Sequence, residues 1–236
     1  MKILNLYAGI GGNRKLWGNE HEVTAIEYNK EVAAIYKDFF PNDNVIVTDA
    51  HEYLLEHYME FDFIWSSPPC PSHSRVRVCN KKQNKAMFPS MSLYEEILLL
   101  KHWFEGKWVV ENVMSYYNPL IKPYECGKHY YWSNFKITEI PKIDNNGRGM
   151  GKTENIEDMQ KLKGFDLSGY KISADYPKLK VLRNCVEPKA GLHIFNCAFK
   201  IKQEGLMAFN KPNTHLFDKQ SLSNTKKLKV SSVKEK

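Results

Sequence analysis

The 236-residue chain carries 34 Lys and Arg against 27 Asp and Glu, a formal net charge of +7, and 42% of it is hydrophobic. That apolar content excludes wholesale disorder, the length allows one domain with a modest insertion, and no apolar run nears the ~20 residues needed to span a bilayer. The cationic excess suits a polyanionic partner, because each Lys or Arg set on a phosphate releases a counterion, although charge alone does not decide it.

In chain order, Ile3 to Tyr7 reads as a buried strand. The turn Ala8-Gly9-Ile10-Gly11-Gly12 follows it, with a helix expected next. Val23 to Ile26 is a second strand, and Lys30 to Phe39 a helix ended by Pro41. Asn44 to Val47 is a third strand, Ala50 to Tyr58 a helix, and Phe61 to Trp65 a fourth strand. Leu93 to Phe104 forms a helix that leads into a fifth strand, Trp108 to Val110. Strands and helices alternating at this spacing predict an α/β fold with a Rossmann-like, doubly wound and mostly parallel sheet. Beyond Tyr116 the pattern changes. Tyr130 to Phe135 is an aromatic strand, Asp144 to Lys152 a basic glycine-rich loop, and Ala190 to Ala198 helical. Past Phe217 the chain is rich in Ser, Asn and Lys and reads as a tail. The expected division is a catalytic domain at 1–135 and 180–202, a small target-recognition lobe at 136–179, and a basic, disordered tail at 203–236. Met1-Lys2-Ile3-Leu4 opens on a strand without signal-peptide architecture, so a cytoplasmic protein is expected. The five cysteines are odd in number and form no CxxC pair, so neither a disulfide framework nor a metal site is expected.

Three segments carry chemistry. Glycines after the first strand let the backbone pass close to a nucleoside cofactor, and an acid ending the next strand, here Glu27, can hold ribose hydroxyls. Asp49, after the third strand, can accept from an adenine amino group; both acids read equally well as solvated strand ends. Ser66-Ser67-Pro68-Pro69-Cys70-Pro71 follows the fourth strand, at the sheet edge where open α/β folds keep their chemistry. Two prolines fix the backbone ahead of Cys70, which is unlike a packing cysteine. Val109-Val110-Glu111-Asn112-Val113 ends a strand with an acid and an amide, placing a carboxyl where partial burial can raise its pKa toward proton donation.

Tyr7-Ala8-Gly9-Ile10-Gly11-Gly12, then Pro68-Pro69-Cys70, then Glu111-Asn112-Val113 resemble motifs I, IV and VI of the DNA (cytosine-5) methyltransferase family, in order and at family-like spacing. Glu27-Tyr28 resembles motif II, Asp49-Ala50 the acidic position of motif III, and Ser92-Leu93-Tyr94-Glu95 the start of motif V. Arg183-Asn184-Cys185-Val186-Glu187-Pro188 resembles motif X, which returns to the cofactor side. The resemblance implies a class I fold binding S-adenosylmethionine, with Tyr7, Ala8, Gly9, Ile10, Gly11, Gly12, Glu27, Tyr28, Asp49, Ala50, Pro68, Asn184 and Val186 lining the cofactor. It implies Cys70 as covalent nucleophile, Glu111 as the acid at cytosine N3, Asn112 beside it, and double-stranded DNA with a flipped-out cytosine as substrate. A monomer is expected, in a setting compatible with restriction–modification.

The loop from Ser72 to Ser90 reads as a basic lid, and Ser74, Arg75, Arg77, Lys81 and Lys82, with Arg148 and Lys152 further on, are the candidate DNA contacts. Glu125-Cys126-Gly127-Lys128-His129 departs from motif VIII, with Gly127 and His129 at its two arginine positions; His129 remains a candidate donor to the base. Pro71 replaces the family's glutamine. The short recognition stretch implies a short target sequence. An RNA (tRNA) methyltransferase and a weakly active accessory DNA-binding protein remain alternatives.

Overall fold

The computed structural model describes residues 1–79, 85–138, 155–174 and 176–200. Its centre is a seven-stranded sheet built from β1 (Lys2–Leu6), β2 (Glu22–Ile26), β3 (Asn44–Ile46), β4 (Phe63–Ser66), β5 (Lys107–Val113), β6 (Tyr124–Cys126) and β7 (His129–Ser133). The strand order is β3-β2-β1-β4-β5-β7-β6. The first five strands pair in parallel, while β7 runs antiparallel to both β5 and β6. This is the expected doubly wound, mostly parallel sheet. The direction of winding reverses between β1 and β4, and a crevice at the carboxyl ends of such neighbours is where open α/β sheets bind ligands.

Helices α1 (Lys30–Phe39) and α2 (Ala50–His57) follow β2 and β3, and a four-residue helix α3 (Val76–Cys79) lies in the loop after β4. Helix α4 (Ser92–Trp103) precedes β5. Helices α5 (Ile156–Lys163), α6 (Lys178–Asn184) and α7 (Pro188–Lys200) close the described chain. Local chemistry sets the helix starts. The Asn29 side chain accepts from the backbone of Glu31 and Val32 to cap α1, and Asp49 does the same for His51 and Glu52 at α2. In α1 the buried residues Val32, Ala33, Ile35 and Tyr36 form one apolar stripe at helical spacing.

One expected helix is missing. After the glycine turn the chain makes only a single 3₁₀ turn, Arg14–Leu16, before reaching β2. The polar groups at the start of this connection are satisfied internally. Asn13 Nδ2 donates to Asn5 Oδ1 at 2.7 Å, and the buried Arg14 guanidinium grips Asp43 at 2.9 and 3.0 Å while Tyr36 donates to the same carboxylate. The face of the sheet left bare is covered instead by α7. Its Ile194, Phe195, Cys197 and Ala198 pack with Ile3, Trp17, Val23, Phe63, Trp65 and Val109, with Phe195 stacked on Trp17 at 5.1 Å. Gly191 allows the approach, since a Cβ there would sit 2.6 Å from Asn13 Cα. The opposite face is covered by α2 and α4 through Ala50, Leu54, Leu93, Tyr94, Ile97 and Leu100.

Two further differences bear on the site. β5 runs three residues past Val110, so Glu111 and Asn112 lie within the strand, paired with Tyr131 and Tyr130, and not at its end. The described part of the 136–179 stretch forms α5 and packs Met159, Phe165 and Leu167 into a cluster with Ile10, Val32, Ile35 and Leu182. The tail expected at 203–236 lies outside the described residues. No helix among the described residues is long and apolar enough to cross a membrane.

Candidate active site

The side expected to hold the cofactor is made of backbone. Tyr7 adopts a left-handed conformation, φ 54°, which a side-chain-bearing residue takes only under constraint. The turn is tied to the next strand by Ala8 N–H donating to the Ile26 carbonyl at 2.9 Å. Gly9 N–H donates to Glu27 Oε2 and Asn29 N–H to Glu27 Oε1, both at 2.9 Å, so the Glu27 carboxylate is fixed at the end of β2. Burial pushes that carboxyl above its ordinary pKa, and the three amide donors Asn29, Gly9 and Tyr28 pull it back. A Cβ on Gly9 would meet only open space, whereas one on Gly12 would strike the Val186 carbonyl oxygen at 2.2 Å and one on Gly11 the Phe40 ring. Gly9 therefore faces the crevice, and Gly12 lets the segment Asn184–Val186 reach it. Ala8, Ile10 and Ala50 are buried, Tyr28 is 78% exposed, and Asn184 is exposed with its amide donating to Tyr176 Oη at 3.0 Å. Asp49 is exposed and uses Oδ1 to cap α2.

The side that carries Cys70 is made of side chains. Asn112 Nδ2 donates to the Pro68 carbonyl at 2.9 Å, fastening the Pro68-Pro69-Cys70 turn to β5. Cys70 is half-buried, and its carbonyl accepts from His73 and Ser74 N–H at 3.0 and 3.1 Å. Burial, with the nearby Glu111 carboxylate second, raises the Cys70 thiol above its ordinary pKa. Glu111 is itself buried, and His129 Nε2 lies 3.6 Å from its Oε1 with the imidazole 44% exposed. Register explains the pairing: Glu111 opposes Tyr131 and Val113 opposes His129 across the β5–β7 ladder, so Glu111 and His129 are diagonal neighbours on one face of the sheet.

The start of the expected lid is stitched down. His73 is buried, with Nδ1 2.6 Å from Tyr117 Oη, and burial holds its pKa below the ordinary value. Ser74 bridges Ser115, Arg75 Nε donates to the Ser115 carbonyl at 3.1 Å, and Ser90 N–H returns to Ser72 Oγ at 3.0 Å. Arg77 donates to the Lys85 carbonyl at 2.7 Å. Arg75 and Arg77 thus stand at the rim of the Cys70 loop, anchored by its own backbone. Lys81, Lys82, Arg148 and Lys152 lie outside the described residues.

Glu96 escaped the sequence reading. It is 1% exposed, and three elements of the crevice converge on it: Tyr7 Oη donates at 2.6 Å, Ser66 Oγ at 2.6 Å, and His51 Nδ1 lies at 3.0 Å. One buried carboxylate therefore ties together the ends of β1 and β4 and the start of α2. The signal was present, since Glu96 shares the helical face of Leu93 and Leu100, where an acid is unexpected. Burial and Glu96 raise the Tyr7 phenol above its usual range, and the Glu96 hydrogen bond raises His51 against the effect of burial.

Comparison with known proteins agrees with this fold. The Entamoeba histolytica methyltransferase EhMeth superposes with a TM-score of 0.50 at 11% identity, over 85% of this chain and 98% of that one. A hypothetical protein of Thermus thermophilus gives 0.40 at 18% identity, over 56% and 73% of the two chains. Spodoptera frugiperda DNMT2 gives 0.34 at 24% identity, over 48% of this chain and 35% of that one. No curated protein sequence matches. The model of the family described as C-5 cytosine-specific DNA methylase matches residues 1–119, the half of the chain that holds the glycine turn, Cys70, Glu96 and Glu111. The chain belongs to the C-5 cytosine-specific DNA methylase family.

Proposed function

We propose that the protein transfers a methyl group from S-adenosylmethionine to C5 of cytosine in DNA, with Cys70 as covalent nucleophile and Glu111 as acid. The observation that carries this is the convergence of Cys70 and Glu111: β4 and β5 are paired neighbours, and the Glu111 charge acts on the Cys70 thiol. A thiol beside a buried carboxyl is the pair a pyrimidine ring needs, one group to add to C6 and one to protonate N3.

The crevice fits the cofactor. The open space beside Gly9, the fixed Glu27 carboxylate and the exposed Tyr28 ring supply a backbone cradle, a ribose acceptor and an aromatic face. Asp49 is the acceptor proposed for the adenine amino group, and Asn184 and Val186 are proposed for the opposite wall of the site. When bound there, S-adenosylmethionine supplies an electrophilic methyl group.

The chain's own residues do the rest. Cys70, as thiolate, bonds to C6 of the base, and the electron pair of the 5,6-bond moves into the ring as N3 takes the Glu111 proton. C5 then has the carbanion character that methylation requires. Once methylated, C5 gives its proton to solvent as the Cys70–C6 bond breaks and the 5,6-double bond returns, and N3 hands its proton back to the Glu111 carboxylate. Protonating Glu111 also removes the charge that holds the thiol pKa up, so carboxyl and thiolate favour one another. Asn112, through Pro68, keeps Cys70 in register, and His129 holds the Glu111 carboxyl from the exposed side. Cys70 is half-buried, and a base stacked in a duplex does not present its C6 to such a group, so the proposed reaction needs the cytosine to leave the duplex. Ser74, Arg75 and Arg77, beside the Cys70 loop, are the residues proposed to meet backbone phosphates.

The test is transfer of label from tritiated S-adenosylmethionine to unmethylated duplex DNA and, separately, to unmodified tRNA. Label in DNA as 5-methylcytosine, absent with Cys70→Ala, is the expected result. Label confined to tRNA would move the activity to RNA, and no label despite cofactor binding would leave an accessory protein.

A further inference from the structure

We propose that Tyr176 is a cofactor-contacting residue, its phenol closing the methyl-donor crevice between Glu27 and Cys70, so that the end of the stretch expected to read DNA belongs to the cofactor site. The inference rests on the S-adenosylmethionine reading above and deepens it.

Ser173 and Tyr176 are each held by hydrogen bonds. Ser173 N–H donates to Glu31 Oε2 at 2.9 Å, in the first turn of α1, and Tyr176 N–H returns to the Ser173 carbonyl at 3.1 Å. At the other end the Tyr176 hydroxyl accepts from Asn184 Nδ2 at 3.0 Å, at the last residue of α6. Ser173 and Tyr176 are therefore tied to the start of α1 and the end of α6, both close to the glycine turn. The Tyr176 ring packs with the cluster that contains Ile10 of that turn and Val32 of α1, and Lys180 Nζ lies 4.3 Å from the ring centroid. A ring held by apolar neighbours and a cation has few rotamers left, so its hydroxyl is fixed in place.

The position of that hydroxyl identifies its ligand. Burial most strongly, and then the Glu27 carboxylate and the Cys70 thiol, raise the Tyr176 pKa, with the Asn184 hydrogen bond opposing them. The locating geometry is the bond to Asn184 and the packing with Ile10, both expected to line the cofactor, and the electrostatic influence of Glu27 and Cys70 accords with it. Because the hydroxyl oxygen accepts from Asn184, its own proton is available to an acceptor, and the acceptors the methyl donor offers are a ribose hydroxyl and an α-carboxylate. Target-reading side chains, by contrast, need to project toward the groove and stay unpaired until DNA arrives.

Calorimetric titration of the full-length protein with S-adenosylmethionine, without nucleic acid, separates these roles when paired with a duplex-DNA binding assay. Tyr176→Phe keeps the ring and removes the hydroxyl, and about fivefold weaker cofactor binding is expected, the size of one lost hydrogen bond. Tyr176→Ala should weaken it further, while duplex affinity of both variants stays within about twofold of wild type. The proposal is overturned if Tyr176→Phe binds the cofactor normally, above all if DNA affinity falls instead. Absence of S-adenosylmethionine binding by the wild-type protein would sink the cofactor reading itself, a result distinct from either.

Discussion

The two halves of the crevice are built on opposite plans. On the cofactor side, positions are set by backbone amides and one buried carboxylate: Glu27 is held by the N–H groups of Gly9 and Asn29, and Glu96 gathers Tyr7, Ser66 and His51. Each of these donors has found its acceptor before any ligand arrives. On the nucleophile side the free protein is poorly disposed for reaction, because Cys70 is half-buried beside Glu111 and its thiol is held protonated. A preorganised cradle thus faces a nucleophile that needs the substrate to complete its electrostatics. The donor site is expected to form alone and the acceptor site only with the base.

Breaking the acceptor half should have the largest consequence and leave the donor half untouched. Cys70→Ala should lower methyl transfer by about 10⁴-fold or more with cofactor affinity unchanged, as measured by label transfer and calorimetry. Glu111→Gln should lower kcat by roughly 10²- to 10³-fold, the scale of a lost general acid. The same change should make Cys70 more reactive toward iodoacetamide at mildly alkaline pH, because a negative neighbour has gone. A slower enzyme with a faster-alkylating cysteine would sharpen the comparison; an unchanged alkylation rate would remove the coupling. In the same vein, kcat/KM should climb with pH above neutrality as the raised thiol ionises, and the limb should move to lower pH in Glu111→Gln.

Breaking the donor half should act on binding. Glu96→Ala leaves Tyr7, Ser66 and His51 without their common acceptor, and roughly tenfold weaker cofactor binding is expected at similar kcat. Equal losses in kcat and affinity would show that the two halves are not separable in this way. The smallest effect concerns His51, which contributes stability only while charged. Its folded pKa is raised by Glu96, with Glu95 and Asp49 adding to it and burial opposing. The contribution is therefore complete below the unfolded value and fades as pH rises through the folded one. His51→Ala should flatten the fall in melting temperature from about pH 6 to pH 8.

The sequence was most legible where structure is local. The five parallel strands are short apolar runs punctuated by Gly, Pro or Asn, and Glu27 and Cys70 follow strand ends, where topology gathers them. Legibility failed where a partner distant in the chain decides. β5 extends through Glu111 and Asn112 because β7 pairs with it, and nothing in Val109-Val110-Glu111-Asn112 announces that ladder. Helices α5 and α6 are short and lean on α1 for their apolar faces. Glu96 was hidden because its three donors come from residues 7, 51 and 66.

The replacement of the first crossover helix by α7 has a bearing on how the chain acquires its structure. Ile3, Trp17, Val23, Phe63 and Trp65 are made early, yet the helix that shields them begins at Pro188. During synthesis, at about 5–20 residues per second, that greasy surface waits on the order of ten seconds for its cover. Contacts of such long sequence separation slow folding and leave an aggregation-prone intermediate on the way. Pulse-labelled ribosome-bound chains halted just before α7 should remain protease-sensitive in β1 and β4, and resist once Phe195 has emerged.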